Sequence, residues 1–333
     1  MENNLYILQA PADLQYILHF LDKNITPSTI LILKYPKLKS LLEQHLIDKQ
    51  VRVLSFESSQ PKHFEIFKLI KFKRSLNDLL LNELNNSYEN VFFFSKYYDY
   101  PTAYIVSKLS NSSKNIYYFD HYDSLSVKDN PSRKFNITSK IKYRWICLTI
   151  FLLFRVEFKS IYRNKPLEWV FNSNKIKYIS NNITPSFKKI NLNIEPNSIL
   201  VLMSQAELDM LSIKGRIDLS QLLDQLKSLK KPIIIKGHPR TGTPNLLYSY
   251  ANFEIENYIP IEVVELLNVN TIFGIITTAL ACHKDLKEIK RISFIDLLQF
   301  KDEIRKKFFR RYLINLGKEH DLDINFEFKN SNS

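Results

Sequence analysis

The sequence predicts an α/β protein made of two domains, each with a parallel sheet covered by helices on both faces. Short apolar runs alternate with helical periodicity through the first 120 residues, and the same alternation begins again near residue 198. The length of 333 residues allows two domains that each bury a core. We place these Rossmann-like domains at residues 1–185 and 195–333, joined through the polar, proline-bearing stretch Asn181–Asn197.

Apolar runs and helical periods define the elements of the first domain. The predicted strands are Leu5–Leu8, Thr29–Leu33, Val51–Phe56, Val91–Phe94 and Ile116–Phe119. The predicted helices are Leu14–Leu21, Leu38–Ile47 and Phe64–Leu84, the first of them after a turn at Gln9–Asp13. Because strands and helices alternate, we expect a parallel sheet.

The second domain shows the same alternation. The predicted strands are Ser198–Met203, Pro232–Lys236, Glu254–Glu256, Thr271–Ile276 and Ile292–Ile295. The predicted helices are Leu219–Leu229, Val263–Leu267 and one that begins at Thr278–Lys284.

The composition favours a polyanionic partner and excludes two kinds of phosphate loop. The net charge is +13, which suits nucleic acid, an anionic membrane or a phosphorylated substrate, although a lysine-rich composition alone would also produce it. No arginine-rich patch, zinc finger or helix-turn-helix signature is present, so we expect no nucleic acid. All five glycines follow residue 214, which excludes a GxGxxG or Walker-type loop from the first half.

The cysteines and the amino terminus bear on the compartment. Cys147 and Cys282 each lie inside an apolar run, so we interpret both as small buried hydrophobes and not as a disulfide or metal pair. The opening Met1–Asn4 lacks the basic region and long apolar stretch of a signal peptide. We therefore expect a cytoplasmic protein.

Two stretches combine basic and apolar residues. Trp145–Phe154 is too short to span a bilayer and is either a buried helix or an interfacial membrane anchor. In Arg305–Tyr312, the two residues Phe308 and Phe309 are surrounded by Lys306, Lys307, Arg310 and Arg311. It predicts either a helix that rests on anionic lipid or a solvated helix whose aromatic side packs on the core.

The segment from Pro232 to Arg240 carries the most chemical information. An apolar strand leads directly into five residues that suit a phosphate ligand: Lys236, Gly237, His238, Pro239 and Arg240. The carboxyl end of a parallel strand is where ligands bind, and two cations with an imidazole suit a phosphate there. The alternative is a basic surface turn.

Three further residues belong to the same predicted edge. Thr277 and Thr278 follow a strand and open a helix, where hydroxyls and backbone N–H groups form an anion site. Glu262, after Pro260, either caps a helix or holds ribose hydroxyls. One strand–helix repeat separates His238 from the threonines, so we expect both groups at one edge of the sheet.

Carboxylates after the strand Ile116–Phe119 are candidates for a general base. Asp120 and Asp123 both fit this role, and an ordinary turn after a strand is the alternative. Asp321-Leu-Asp323 has the Asp-x-Asp pattern of metal-dependent glycosyltransferases. We do not assign it a metal, because it does not follow a buried strand.

These motifs resemble bacterial sialyltransferases, above all glycosyltransferase family 52, whose members act on lipooligosaccharide and capsule. The matching residues are the His238-Pro239 motif, the Thr277-Thr278 pair, the Pro-x-Glu of Pro260–Glu262 and the opening Leu8–Gln15. The acidic motif of that family contains a glycine, whereas this chain has Asp-His-Tyr-Asp. The base is therefore open between Asp120 and Asp123.

The resemblance implies a GT-B fold, with two Rossmann-like domains that face each other across a cleft. It implies an inverting, metal-independent transfer of sialic acid from CMP-sialic acid to a galactose-terminated glycan or glycolipid acceptor. His238 would hydrogen-bond to the leaving phosphate or protonate it. The substrate-binding residues implied are Gln9, Lys236, Gly237, Pro239, Arg240, Pro260, Glu262, Thr277 and Thr278.

The first domain would then lie on the acceptor side and the second would bind CMP-sialic acid, with no other cofactor. Contact with the anionic inner face of the cytoplasmic membrane would be peripheral. Two other functions remain open. One is a GT-B transferase that uses a CDP-polyol or another nonulosonic acid donor. The other is a basic protein without catalysis that binds a membrane surface.

Overall fold

The computed structural model divides the chain into two compact units, residues 1–188 and 189–333. The residues that the structure describes are 4–24, 26–57, 61, 65–84, 87–94, 100–119, 153–154, 176–179, 183 and 185–328. Within them, no helix is both long enough and apolar enough to cross a bilayer.

The first unit contains a parallel six-stranded sheet. Its strands are β1 (Asn4–Leu8), β2 (Ser28–Ile32), β3 (Val51–Ser55), β4 (Asn90–Phe93), β5 (Asn115–Phe119) and β6 (Ile176–Ile179). Its described helices are α1 (Leu14–Lys23), α2 (Leu38–His45), α3 (Ile66–Asn82) and α4 (Tyr100–Leu109), with a 3₁₀ turn at Pro11–Asp13. The strand order is β3-β2-β1-β4-β5-β6.

The second unit repeats this plan. Its strands are β7 (Ser198–Leu202), β8 (Ile233–Lys236), β9 (Phe253–Glu254), β10 (Val269–Gly274), β11 (Lys290–Ser293) and β12 (Ile324–Asn325). Its helices are α5 (Gln205–Met210), α6 (Ile213–Ser228), α7 (Asn245–Tyr248) and α8 (Glu303–His320), with 3₁₀ turns at Ile261–Val263, Thr278–Ala281 and Phe294–Leu297. The strand order is β12-β11-β10-β7-β8-β9.

Both sheets have the strand order of the Rossmann fold, in which the first strand lies between the second and the fourth. The predicted α/β class with two Rossmann-like units is therefore confirmed. The first strand of each unit is buried along its whole length, as its continuous apolar run predicts. The reversal of strand order beside β1 and beside β7 creates the crevice where open α/β sheets bind ligands.

The basic helix α8 packs on its own unit. Asp302 caps its amino terminus by accepting from the backbone N–H groups of Ile304 and Arg305 at 2.9 and 3.1 Å. Phe309 packs against the core, and Arg310 binds Asp296 through its Nε at 2.7 and 2.9 Å. Of the two interpretations of Arg305–Tyr312, the described contacts favour the helix whose aromatic side packs on the core.

The stretch Trp145–Phe154 is described only at its carboxyl end. Phe154 is buried, and its ring centroid lies 4.9 Å from that of Tyr100 and 5.5 Å from that of Tyr104. The remaining residues of this stretch, and Cys147, lie outside the described residues. Cys282 is buried with a free thiol, as predicted.

The predicted helix at Val263–Leu267 is wrong. The chain makes a single 3₁₀ turn at Ile261–Val263, and Val264 then pairs with Ile190 in a parallel bridge. The two consecutive valines are β-branched, which disfavours a helix and suits extended backbone at this buried position.

Candidate functional site

Three loops meet at the carboxyl edge of the second sheet. They follow β7, β8 and β10, and these strands are neighbours because β7 pairs with both of the others. The backbone N–H of Gln205, after β7, donates to the carbonyl of Gly242, after β8, at 3.3 Å. The backbone N–H of Ile276, after β10, donates to Glu207 Oε1 at 2.9 Å. The loops that carry His238 and Thr277 are thus both tied to the start of α5.

Glu207 makes the tie to β10 and was not predicted from the sequence. It forms a capping box with Ser204: the Ser204 hydroxyl oxygen accepts from the Glu207 N–H, and Glu207 Oε2 accepts from the Ser204 N–H at 2.7 Å. Burial raises the pKa of Glu207, and the three donors on its carboxylate oppose that rise. The pattern Ser-x-x-Glu directly after an apolar strand is the signal that identifies this cap.

Lys236 ends β8 and is buried, with 5% of its surface exposed. Its ammonium donates to the carbonyl oxygens of Gly237 at 3.1 Å and Asn257 at 3.3 Å. Burial lowers its pKa to about 8, and the carboxylates of Glu262 and Glu254 partly oppose this. Lys236 therefore holds the loops around the turn together, in addition to placing a positive charge beneath them.

His238 lies in a tight turn that ends at Gly242. The Gly242 N–H donates to the His238 carbonyl at 2.9 Å, and Gly242 has a φ of +75°, which favours glycine. The backbone N–H of Arg240 donates to His238 Nδ1 at 3.2 Å, so Nδ1 carries no proton and Nε2 carries one. Partial desolvation, Arg240 and Lys236 lower the pKa of His238. His238 is thus a neutral donor through Nε2 at pH 7.

Gly237, Pro239 and Arg240 shape this turn. A Cβ at Gly237 would lie 2.4 Å from the backbone nitrogen of Thr243, so only glycine allows the two sides of the turn to approach. Pro239 and Arg240 form its tip, and Arg240 is exposed. The turn therefore presents one imidazole N–H donor and one exposed guanidinium.

Thr277 and Thr278 lie where the sequence predicts, but the helix after them is a single 3₁₀ turn of four residues. Such a turn has too few aligned peptide groups to make the anion site predicted for a helix amino terminus. Thr277 Oγ1 accepts from the Ala279 N–H at 3.2 Å, and Thr278 is exposed. Two hydroxyl groups remain as donors at this edge.

Glu262 lies in the 3₁₀ turn that begins after Pro260. No described side chain caps the start of this turn. Lys189 Nζ donates to the Glu262 carbonyl at 2.8 Å, while the Glu262 carboxylate has no hydrogen bond to any residue in the described part of the chain. Glu262 therefore does not cap this turn, and its carboxylate is available to hydroxyl groups. A second carboxylate nearby in the chain, Glu254, is already engaged by Thr243 Oγ1 at 2.8 Å.

Gln9 lies in the first unit, at the carboxyl end of β1 and thus beside the crevice of that sheet. Its side chain is 7% exposed, and within the described part of the chain neither its amide nitrogen nor its amide oxygen has a hydrogen-bond partner. Its backbone N–H and that of Ala10 both donate to Asp13 Oδ2, at 3.0 and 2.7 Å. The backbone N–H groups of Gln9 and Ala10 therefore have an acceptor, whereas the side-chain amide of Gln9 has no hydrogen-bond partner among the described residues.

The predicted bases, Asp120 and Asp123, lie outside the described residues. Asp321 and Asp323 are both exposed, and Asp321 pairs with Lys287 at the end of α8. The structure thus brings Lys236–Arg240 and Thr277-Thr278 to one edge and leaves Asp321 at a helix terminus.

No protein-family model matches the sequence, and no curated protein matches it either. The fold is similar to those of several solved structures. One is the UDP-GlcNAc 2-epimerase of Methanocaldococcus jannaschii in complex with UDP-GlcNAc and UDP, at 13% identity over 98% of this chain and 96% of that chain, with a TM-score of 0.44.

Two others are the UDP-GlcNAc 2-epimerase of Neisseria meningitidis bound to UDP-GlcNAc and MurG of Acinetobacter baumannii. The epimerase is 12% identical over 98% of this chain and 95% of that chain, with a TM-score of 0.45. MurG is 10% identical over 98% and 86%, with a TM-score of 0.36. These likenesses are too distant to assign a family or an activity.

Proposed function

We propose that the chain is a glycosyltransferase that binds a nucleotide-activated sugar at the carboxyl edge of its second sheet. The finer proposal is an inverting sialyltransferase of the GT-B type that uses CMP-sialic acid and a galactose-terminated acceptor on lipooligosaccharide or capsule. One observation carries it: Gln205 and Glu207 tie the loops of His238 and Thr277 together beside the strand-order reversal at β7. A compact phosphate can then contact donors from both loops.

The donor phosphate suits the groups at this edge. CMP-sialic acid has one phosphodiester and one negative charge there. The guanidinium of Arg240 can neutralise that charge, and the Nε2–H of His238 and the hydroxyls of Thr277 and Thr278 can donate hydrogen bonds to it. The neutral tautomer fixed by the Arg240 N–H makes His238 a hydrogen-bond donor and not a proton donor at pH 7. Donors placed where charge develops stabilise the departing phosphate.

The reaction is a single displacement. The acceptor hydroxyl oxygen bonds to the anomeric carbon of sialic acid while the bond from that carbon to the phosphate oxygen breaks. The electron pair of that bond leaves with CMP, and Asp120 or Asp123 takes the hydroxyl proton. Attack opposite the leaving group inverts the anomeric centre. We expect no metal or further cofactor to be required, because the protein groups offset the charge that develops on the one leaving phosphate.

The remaining assignments follow from the same proposal. Gln9 would bind the acceptor, since an amide with an unused donor and acceptor matches a pair of sugar hydroxyls. Glu262 would hold the ribose hydroxyls of CMP. The protein would work in the cytoplasm, peripherally at the inner face of the membrane where lipid-linked acceptors lie.

The proposal is tested by following CMP release from CMP-sialic acid with lactose, in the presence of EDTA. We expect release by the wild type and a loss of about 10²–10³ in rate for His238→Ala, because one electrostatic donor to the leaving group is removed. His45→Ala, in the first unit, is the control and should retain the wild-type rate.

A parallel reaction with CDP-glycerol separates the two classes of donor. Turnover of CDP-glycerol without turnover of CMP-sialic acid would replace the sialyl donor with a polyol donor. If the protein releases a cytidine nucleotide from neither compound, the proposed transfer reaction is contradicted.

A further inference from the structure

The outer face of α3 exposes large apolar side chains. Phe67 is 89% exposed, Leu81 76%, Ile66 49% and Ile70 37%. The opposite face is buried through Leu69, Phe72, Leu76 and Leu79, so the helix is anchored in its own unit. A soluble surface seldom exposes a phenylalanine and two isoleucines within five residues without a partner.

This apolar face leads into a cationic cavity. Ile66, Ile70, Lys73 and Asn77 are spaced i, i+4, i+7 and i+11, which places them along one side of the helix. Lys73 and Asn77 line a cavity of about 480 Å³ between α3 and α4, together with Tyr104, Ser107, Lys108, Asn111 and Phe154. The apolar stripe and the cavity are therefore continuous along α3.

Two lysines of this cavity lie close to the ring of Tyr104. Lys73 Nζ lies 5.9 Å from the ring centroid and Lys108 Nζ lies 5.6 Å from it. Lys73 donates one proton to the carbonyl of Leu153 at 2.7 Å, which leaves further N–H donors on both ammonium groups. Two ammonium groups near one ring, both lining the same cavity, suit an anionic headgroup.

Exposed cations surround the apolar residues of α3. Lys71 and Arg74 are exposed on the same face, and within the described part of the chain neither side chain has an ion pair. Two cations of α8 do have ion pairs, Arg305 with Asp302 and Arg310 with Asp296. The chain as a whole carries a charge of +13, which favours an anionic surface.

We propose that α3 docks on a bilayer containing anionic phospholipid, with Phe67 and Ile70 inserted at the interface and a lipid phosphate in the cavity between Lys73 and Lys108. A second copy of the chain fits this face less well, since a symmetric pairing would place Lys71 and Arg74 against their own copies. The docking surface refines the membrane contact in the proposed function but does not depend on the transfer reaction.

Co-sedimentation with vesicles tests the proposal. Vesicles of phosphatidylcholine alone are compared with vesicles that also contain phosphatidylglycerol. We expect the full chain to bind the anionic vesicles and Phe67→Ser/Ile70→Ser to bind them at least about tenfold more weakly. Burial of one phenylalanine side chain alone strengthens binding by more than about tenfold. Lys73→Gln and Lys108→Gln should each weaken binding about fivefold on anionic vesicles only.

The matched control is Ile213→Ser/Ile217→Ser, which removes two exposed isoleucines from α6 (82% and 54% exposed) and should bind like the wild type. CMP release with lactose should be unchanged in Phe67→Ser/Ile70→Ser. Vesicle binding therefore tests the docking surface, and CMP release tests the proposed transfer reaction independently of it. Wild-type binding that ignores phosphatidylglycerol, or a double-serine variant that binds normally, would overturn the proposal. A wild-type dimer that this variant dissociates would assign the face to a second copy.

Discussion

Glu207 is a buried carboxylate whose two oxygens accept from different loops, Oε1 from Ile276 and Oε2 from Ser204. It lies beneath the predicted phosphate site without being part of the recognised motif. His238 is predictable from sequence because the apolar strand and the turn that exposes it are contiguous. Glu207 is not, because its partner Ile276 is 69 residues away. A capping box predicts only the local half of its hydrogen bonds.

Glu207→Gln tests this tie. The amide can accept on one side only, so its NH₂ group must face a backbone donor, and a buried donor then loses its acceptor. We expect a loss of about 1–3 kcal/mol in the free energy of unfolding and slower CMP release. Denaturant unfolding of Glu207→Gln and of the exposed control Glu256→Gln measures this. Equal stability of the two variants would contradict the role of Glu207.

Gln9→Leu tests whether the unsatisfied amide is kept for a ligand. A buried donor and acceptor without partners destabilise the fold, and a side chain of similar size without polar atoms removes that cost. We expect the free energy of unfolding to rise by about 1–3 kcal/mol while CMP release with lactose falls. Gln15→Leu, at a half-exposed position in α1, should bring no such gain. A destabilised Gln9→Leu variant would mean that the amide serves the fold.

Lys236→Met tests the buried ammonium through pH. The folded pKa of about 8 lies below the ordinary value of 10.5, so between these pH values the unfolded chain binds more protons at this lysine. Stability therefore rises with pH across that window, by about 3 kcal/mol from this group. The difference in unfolding free energy between wild type and Lys236→Met, followed from pH 7 to 10.5, should show this rise. If the difference in unfolding free energy between the two proteins stays constant over this pH range, the lowered pKa of Lys236 is contradicted.

A ladder of asparagines crosses the amino-terminal ends of the strands in the first sheet. Asn4 donates to Thr26 Oγ1 at 2.7 Å, Asn90 to Asn4 Oδ1 at 2.8 Å, and Asn115 to Asn90 Oδ1 at 3.0 Å. Lys177 Nζ completes the chain by donating to Asn115 Oδ1 at 2.9 Å. Every amide points the same way, so each bond polarises the next, and the ladder holds β1, β4, β5 and β6 in register.

Asn90→Ala removes the centre of this ladder. The Asn4 side-chain carbonyl loses the Asn90 donor, and the Asn115 amide loses the closer of its two acceptors, so we expect a loss of about 1–3 kcal/mol in the free energy of unfolding. Asn111→Ala, at an exposed position after α4, is the control and should change little. A thermal or denaturant midpoint for Asn90→Ala equal to that of the control would show that the ladder adds no stability.

Whether a helix or strand can be predicted from the sequence depends on its length and on how it is buried. Strands buried on both faces, such as β1 and β7, are continuous apolar runs and were predicted within two residues at either end. Strand β12 has two residues, Ile324–Asn325. A strand of this length is too short to show the alternation of apolar and polar residues by which a strand is predicted. Tyr100–Leu109 forms α4, yet it begins Tyr-Pro and its first seven residues are all buried, so it lacks the amphipathic pattern that identifies a helix.

At the scale of the whole molecule, each unit contains a complete Rossmann strand order with its own core. The repeat was predictable because the alternation of strands and helices restarts near residue 198. The base, Asp120 or Asp123, was predicted from carboxylates that follow the strand Ile116–Phe119, and it stays a prediction. The order of strands in each sheet required the structure, since sequence periodicity does not reveal which strands pair.

A fragment of residues 189–333 tests the independence of the second unit. Among the described residues, its sheet is built from its own strands and its core from its own side chains, so we expect it to fold alone. Far-ultraviolet circular dichroism and a cooperative denaturant transition measure this. A fragment without a cooperative transition would mean that the second unit depends on the first.

We propose that the carboxyl edge of the second sheet binds the phosphate of a cytidine nucleotide. Calorimetric titration of the full chain with CMP measures this binding, with His238→Ala and the control His45→Ala in parallel. We predict binding by the wild type and by His45→Ala, and at least tenfold weaker binding by His238→Ala, because a charge-assisted hydrogen bond to phosphate is lost. Equal CMP affinity in all three proteins, or binding by none, would contradict the claim.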